Sequence, residues 1–184
     1  MVTLLQDFFD HVATTLDGEV LAFRFQKSWG SQSPAHRIKI REALLDYLKR
    51  NHSDEVNDSV LDLEALPTLH RLFVSISHCS DMGGYVVCSQ PVGFDIENTS
   101  RLNPKVVGRV STSEERSVAP GHEALWVAKE AVYKCDNSFK TISQISLSGW
   151  DLVQDETYRF RIGDITGWSQ KRLDFSYAIA IKKS

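Results

Sequence analysis

Apolar residues in this chain recur first at helical spacing, then at every second position, then at helical spacing again. A segment of period 3.6 and a segment of period 2 bury different faces, so the chain has to combine helices with sheet. Leu5, Phe8, Phe9, Val12 and Leu16 predict an amphipathic helix over 2–16, stopped at Asp17-Gly18. Val20 to Phe25 alternates as a strand, and the Gly- and Ser-rich KSWGSQSP loop leads to a second helix from Ala35 to Arg50, with Ile38, Leu44, Leu45 and Leu48 inward. Residues 51–70 are polar and mixed, as in a connection. Leu72 to Ser77, Tyr85 to Ser89 and Val92 to Glu97 read as strands, the first two joined by SDMGG as a hairpin turn. A short helical stretch follows Pro104, and Ser111 with Glu114 fits a capping box. His122 to Cys135 carries the strongest helical pattern, with Leu125, Ala128 and Val132 on one face. Ile142 to Leu147, Tyr158 to Ile162 and Phe175 to Ile181 then alternate as strands. The fold class predicted is α+β.

Composition removes several function classes. With 42% hydrophobic and 24% charged residues the chain matches globular usage, not disorder or a coiled coil. No apolar run approaches the roughly 18 residues of a membrane helix. Asp7 and Asp10 interrupt the N-terminus where a signal peptide would be basic and then apolar, so a cytoplasmic protein without membrane association is expected. Cys79, Cys88 and Cys135 are odd in number and lack CxxC spacing, which argues for reduced, structural thiols. Residues 1–98 carry 8 Lys and Arg against 14 Asp and Glu, and the remainder 13 against 10. Nonspecific nucleic-acid binding is therefore not expected, whereas the basic second half can meet an acidic partner.

Four short motifs could carry chemistry. In GFDIE, strand alternation projects Asp95 and Glu97 from one face, a placement that suits a hard divalent cation and equally suits a polar outer face. In WVAKEAVYK, Glu130 and Lys134 are helical neighbours, either an ordinary ion pair or a third metal carboxylate beside an ammonium for a phosphate. His78 in SISHC can hold a phosphate or serve as a structural histidine, and Cys79 beside it points the opposite way in an extended segment. Arg24, Lys27, Arg37, Lys39 and Arg41 form a basic cluster, either a solvated face or a phosphate grip.

Taken in order, SISHC, VGFDIE, STSEE and WVAKEAVYK resemble the 4′-phosphopantetheinyl transferase superfamily, whose pattern runs SH, G-x-D-x-E, S-x-x-E and W-x-x-K-E-x-x-x-K. The match covers Ser75 to Lys134, about a third of the chain. The resemblance implies Mg²⁺-dependent transfer of the phosphopantetheine arm of coenzyme A to a serine of an apo acyl or peptidyl carrier protein, serving fatty-acid, polyketide or nonribosomal-peptide synthesis. Adenosine 3′,5′-bisphosphate would leave. By motif, Asp95, Glu97 and Glu130 are implied to ligate Mg²⁺ and Lys134 to contact the pyrophosphate. His78, with Ser77 beside it, would lie near the 3′-phosphate, and Lys27, Arg37 and Arg41 would be further coenzyme A contacts. Glu114 matches a further acidic position counted with the catalytic residues, and the general base would be Glu130 or a water on the metal. Because about 75 residues precede SISHC, the two-repeat type is implied: a monomer of two similar α/β subdomains with pseudo-two-fold symmetry, 1–98 and 99–184. The chain departs from that type in lacking a Gly-Lys-Pro segment, where LEALPTLHRL stands, and in carrying CDNSFKT after Lys134. A noncatalytic relative that binds coenzyme A or a carrier is the alternative, and a hydrolytic metal site is a third.

Overall fold

In the computed structural model, residues 19–30, 34–80 and 82–183 are described, and the helix expected over 2–16 lies outside them. The chain divides into two compact units, Met1–Gln90 and Pro91–Ser184.

In the first unit, β1 (Val20–Lys27), β2 (Phe73–His78) and β3 (Met82–Cys88) form an antiparallel sheet in the order β1-β3-β2. Helix α1 (Pro34–Asn51) packs on β3 through Ile40, Leu44 and Leu48, which meet Tyr85 and Val87. These three are four residues apart and share one stripe. Ile38, expected inward, is 41% exposed and Leu45 only partly buried. Ile38 stands two residues from Ile40, about 200° round the helix, so the two cannot both face the sheet. Arg41 takes the flank of the buried stripe instead. Met82, Gly83 and Gly84, expected in a turn, belong to β3. A Cβ on Gly83 would stand 2.2 Å from the Trp29 carbonyl oxygen, and one on Gly84 2.4 Å from that of Arg24, so these glycines serve close approach of neighbouring backbone. The polar 51–70 connection contains two 3₁₀ turns and is tied down by buried Glu55, which accepts the backbone N–H groups of His70 and Arg71.

The second unit holds β4 (Val92–Asn98), β5 (Gly149–Gln154), β6 (Thr157–Ile162), β7 (Ile165–Arg172) and β8 (Phe175–Lys182), antiparallel in the order β4-β8-β7-β6-β5. Two-residue turns connect β5 through β8. Asp155 and Glu156 adopt φ of 39° and 60°, Gly163 56° and Leu173 52°, the left-handed values that let tight hairpins follow the sheet twist. β4 joins this unit by pairing along its whole length with β8, so the division falls at 90/91 and not at the expected 98/99. Helices α2 (Pro104–Val110), α3 (Ser113–Val118) and α4 (His122–Cys135) complete the unit. α4 buries Leu125, Ala128, Ala131 and Val132 against Ala178, Ala180 and Phe160.

The expected strand Ile142–Leu147 is a 3₁₀ turn, Ile142–Gln144, followed by irregular chain. Its apolar alternation reflects the burial of Ile145 and Leu147 in the core beside α4, with no ladder involved. β7 escaped the sequence reading because its interior positions include Ser169 and Gln170, the latter held by hydrogen bonds to Thr157 Oγ1 and the Asp155 carbonyl. β5 is an edge strand whose ladder shifts between Leu152 and Gln154. Among the described residues, no helix is long and apolar enough to cross a membrane.

Candidate functional site

The site grows from the alternation of β4. Gly93, Asp95 and Glu97 lie opposite Ala180, Ala178 and Ser176 of β8, on the sheet face that α4 covers. Gly93 sets the spacing, since a Cβ there would lie 1.8 Å from the Ala131 carbonyl oxygen and 2.7 Å from the Cys135 nitrogen. The missing side chain lets α4 settle directly on β4, with Glu130 and Lys134, one turn apart, beside the strand carboxylates.

Lys134 Nζ stands 2.6 Å from Asp95 Oδ1 and donates also to the Phe94 carbonyl at 3.2 Å. Asp95 is 5% exposed, and Glu97 and Glu130 are half-buried. Burial raises the Glu130 carboxyl above its ordinary range, with the charges of Asp95 and Glu97 adding to the rise and Lys134 opposing it. Burial likewise raises Glu97, reinforced by Asp95 and opposed by Arg101. Three carboxylates therefore share a poorly solvated recess with one ammonium. Such a recess favours added positive charge, and its donors are the hard oxygens that Mg²⁺ takes. They are not assembled as a cage: among the described residues no group of three His, Cys, Asp or Glu side chains stands at metal-ligand geometry. Lys134 itself lies where a cation would meet Asp95.

The other expected contacts fall in the first unit. Arg37, Arg41 and His78 line one pocket of about 230 Å³ together with Ile40, Ile76 and the 63–66 segment. Arg37 donates to the Leu63 carbonyl at 2.8 Å and Arg41 to the Ala65 carbonyl at 2.6 Å, which ties the LEAL stretch to α1. Burial lowers the Arg41 guanidinium, Asp62 opposes this and Arg37 adds to it. Arg41 Nη1 is buried with no hydrogen-bond acceptor among the described residues. Ser77 faces the opposite side of β2 from His78 by strand alternation, and Lys27 is exposed at the end of β1, outside the pocket lining.

Glu114 is exposed, and the capping box is one residue later than expected. Thr112 Oγ1 accepts the Glu115 N–H at 3.2 Å and Glu115 Oε2 accepts the Thr112 N–H at 2.8 Å. Both Ser111–Glu114 and Thr112–Glu115 satisfy the spacing, and burial selects the second. Glu115 is 3% exposed and pairs at 2.8 Å with Lys129, which is fully buried. Sequence reasoning passed over this pair. The signal was present: Lys129 occupies an apolar position of α4, four residues after Leu125 and three before Val132.

Neither a protein-family model nor a curated protein matches this sequence.

Proposed function

We propose that the chain is a 4′-phosphopantetheinyl transferase of the two-repeat type, moving the arm of coenzyme A to a serine of an apo acyl or peptidyl carrier protein. One observation carries this reading. Asp95 and Glu97 from one motif, and Glu130 and Lys134 from another about 35 residues away in the sequence, face each other across Gly93. The recess suits a diphosphate neutralised by a divalent ion. Mg²⁺ held by Asp95, Glu97 and Glu130 would offset charge on the phosphoryl oxygens.

In the transfer, the carrier serine oxygen attacks the phosphorus that bears the pantetheine. The bond from that phosphorus to the bridging oxygen breaks, and adenosine 3′,5′-bisphosphate leaves with the electron pair. Glu130 takes the serine proton. Lys134 exchanges Asp95 for a pyrophosphate oxygen as substrate enters, so its charge meets the leaving group. Within the first unit, the pocket lined by Arg37, Arg41 and His78 suits a phosphate group, with Arg41 Nη1 as a donor.

Purified protein incubated with coenzyme A, Mg²⁺ and a panel of apo carriers is expected to add the arm, read by mass spectrometry. Glu130→Gln is expected to lower kcat by roughly 10²- to 10⁴-fold. Full activity in the Asp95→Ala, Glu97→Ala double variant would discard the mechanism. Coenzyme A binding without transfer to any carrier would leave a noncatalytic binding relative, and cleavage of coenzyme A without a carrier a hydrolase.

A further inference from the structure

The structure assigns Lys129 and Glu115 the role of positioning Glu130 and Lys134, a role that for its metal arm rests on the function proposed above. Lys129 Nζ has three protons, and each finds an acceptor: the Val110 carbonyl at 2.6 Å, the Ile145 carbonyl at 2.6 Å, and the Glu115 carboxylate at 2.8 Å. Glu115 in turn accepts the Thr112 N–H at 2.8 Å and the Leu147 N–H at 2.9 Å. One buried ion pair thus joins the end of α2, the start of α3 and the chain after the 142–144 turn to the middle of α4.

The placement matters because Glu130 follows Lys129 directly. The sheet side of α4 is set by its close contact with Gly93 and by Leu125, Ala128, Ala131 and Val132 packed on Ala178, Ala180 and Phe160, which fix its distance and its buried face. A fully satisfied ammonium about 100° round the helix from Glu130 adds a directional hold on the roll that apolar packing alone does not give. Rotation of α4 would carry Lys129 off three acceptors at once, so the azimuth at which Glu130 and Lys134 meet Asp95 is held by residues that touch neither substrate nor metal. Interior charge at an apolar helix position is otherwise costly, and plain packing would be served as well by a methionine.

The test uses Lys129→Met and, as a control for general loss of stability, Ile165→Ala, which opens a cavity in the same core without touching the pair. Two properties are measured on each folded full-length protein: Mn²⁺ binding by electron paramagnetic resonance titration, and amide hydrogen exchange across 130–135. Lys129→Met is expected to weaken Mn²⁺ binding by roughly 10- to 100-fold, as loss of an outer partner of a metal site does, and to lose protection across 130–135. Ile165→Ala is expected to retain both. Equal changes in the two variants, or none in Lys129→Met, would overturn the assignment. If Lys129→Met does not fold, Lys129→Arg, which keeps the charge but not the reach of a single ammonium, takes the same two readouts with the same criteria. Should the unaltered protein take up no Mn²⁺, the metal reading fails by itself and the exchange data still decide the positioning role.

Discussion

At the scale of single residues, Glu115 shows how a buried acid becomes a stability element. Burial alone would raise its carboxyl, yet hydrogen bonds from Lys129, Leu147 and Thr112 outweigh that and the group is held below its ordinary value near 4.5. A carboxyl lowered by folding contributes stability that is fully present above the unfolded value and is lost as pH falls through the lower folded value. Thermal melts taken at descending pH are expected to show the midpoint dropping below about pH 4.5, where the carboxyl of the unfolded chain begins to take a proton. Glu115→Gln should lose roughly 3–5 kcal/mol at neutral pH, because it strands the Lys129 charge, and should show a shallower acid limb. An unchanged acid limb would mean that other carboxyls set the acid sensitivity.

At the scale of elements, the contact between β4 and α4 depends on one absent side chain. Gly93→Ala places a methyl group 1.8 Å from the Ala131 carbonyl oxygen, so strand and helix must separate. The expected cost is about 1–3 kcal/mol, read by chemical denaturation, with a loss of activity larger than that of an equally destabilised variant elsewhere. This contact also marks how far the sequence could be read. Helix α4 was legible because Leu125, Ala128 and Val132 keep strict period, and Asp95 beside Glu97 was legible because a strand has period 2. Their approach to Glu130 came from family resemblance, since periodicity says nothing about which strand a helix covers. β7 was not legible because buried Ser169 and Gln170 interrupt its apolar signal, and Ile142–Leu147 misled because two buried residues in an irregular segment imitate a strand. The shift from Glu114 to Glu115 came from two overlapping spacings that only burial distinguishes.

At the scale of the molecule, charge is unevenly spread along the chain, with an excess of base after residue 98. Lys105, Arg109 and Arg116 are exposed on α2 and α3, beside exposed Val106 and Val118. If the partner is an acidic carrier, this surface should steer it, and kcat/KM for the carrier is expected to fall as salt rises. Reversing Lys105 and Arg109 to Glu should lower kcat/KM by roughly tenfold or more at low salt and flatten the salt dependence, with coenzyme A affinity unchanged. Carrier kinetics insensitive to both would remove this surface from recognition. The far edge of the same unit is a different matter. β5 exposes Leu152 and Val153, yet its ladder is offset between Leu152 and Gln154. An offset rim offers a neighbouring chain no continuous row of N–H and C=O groups to zip onto, so these two apolar residues sit on an outline poorly shaped for fibre growth.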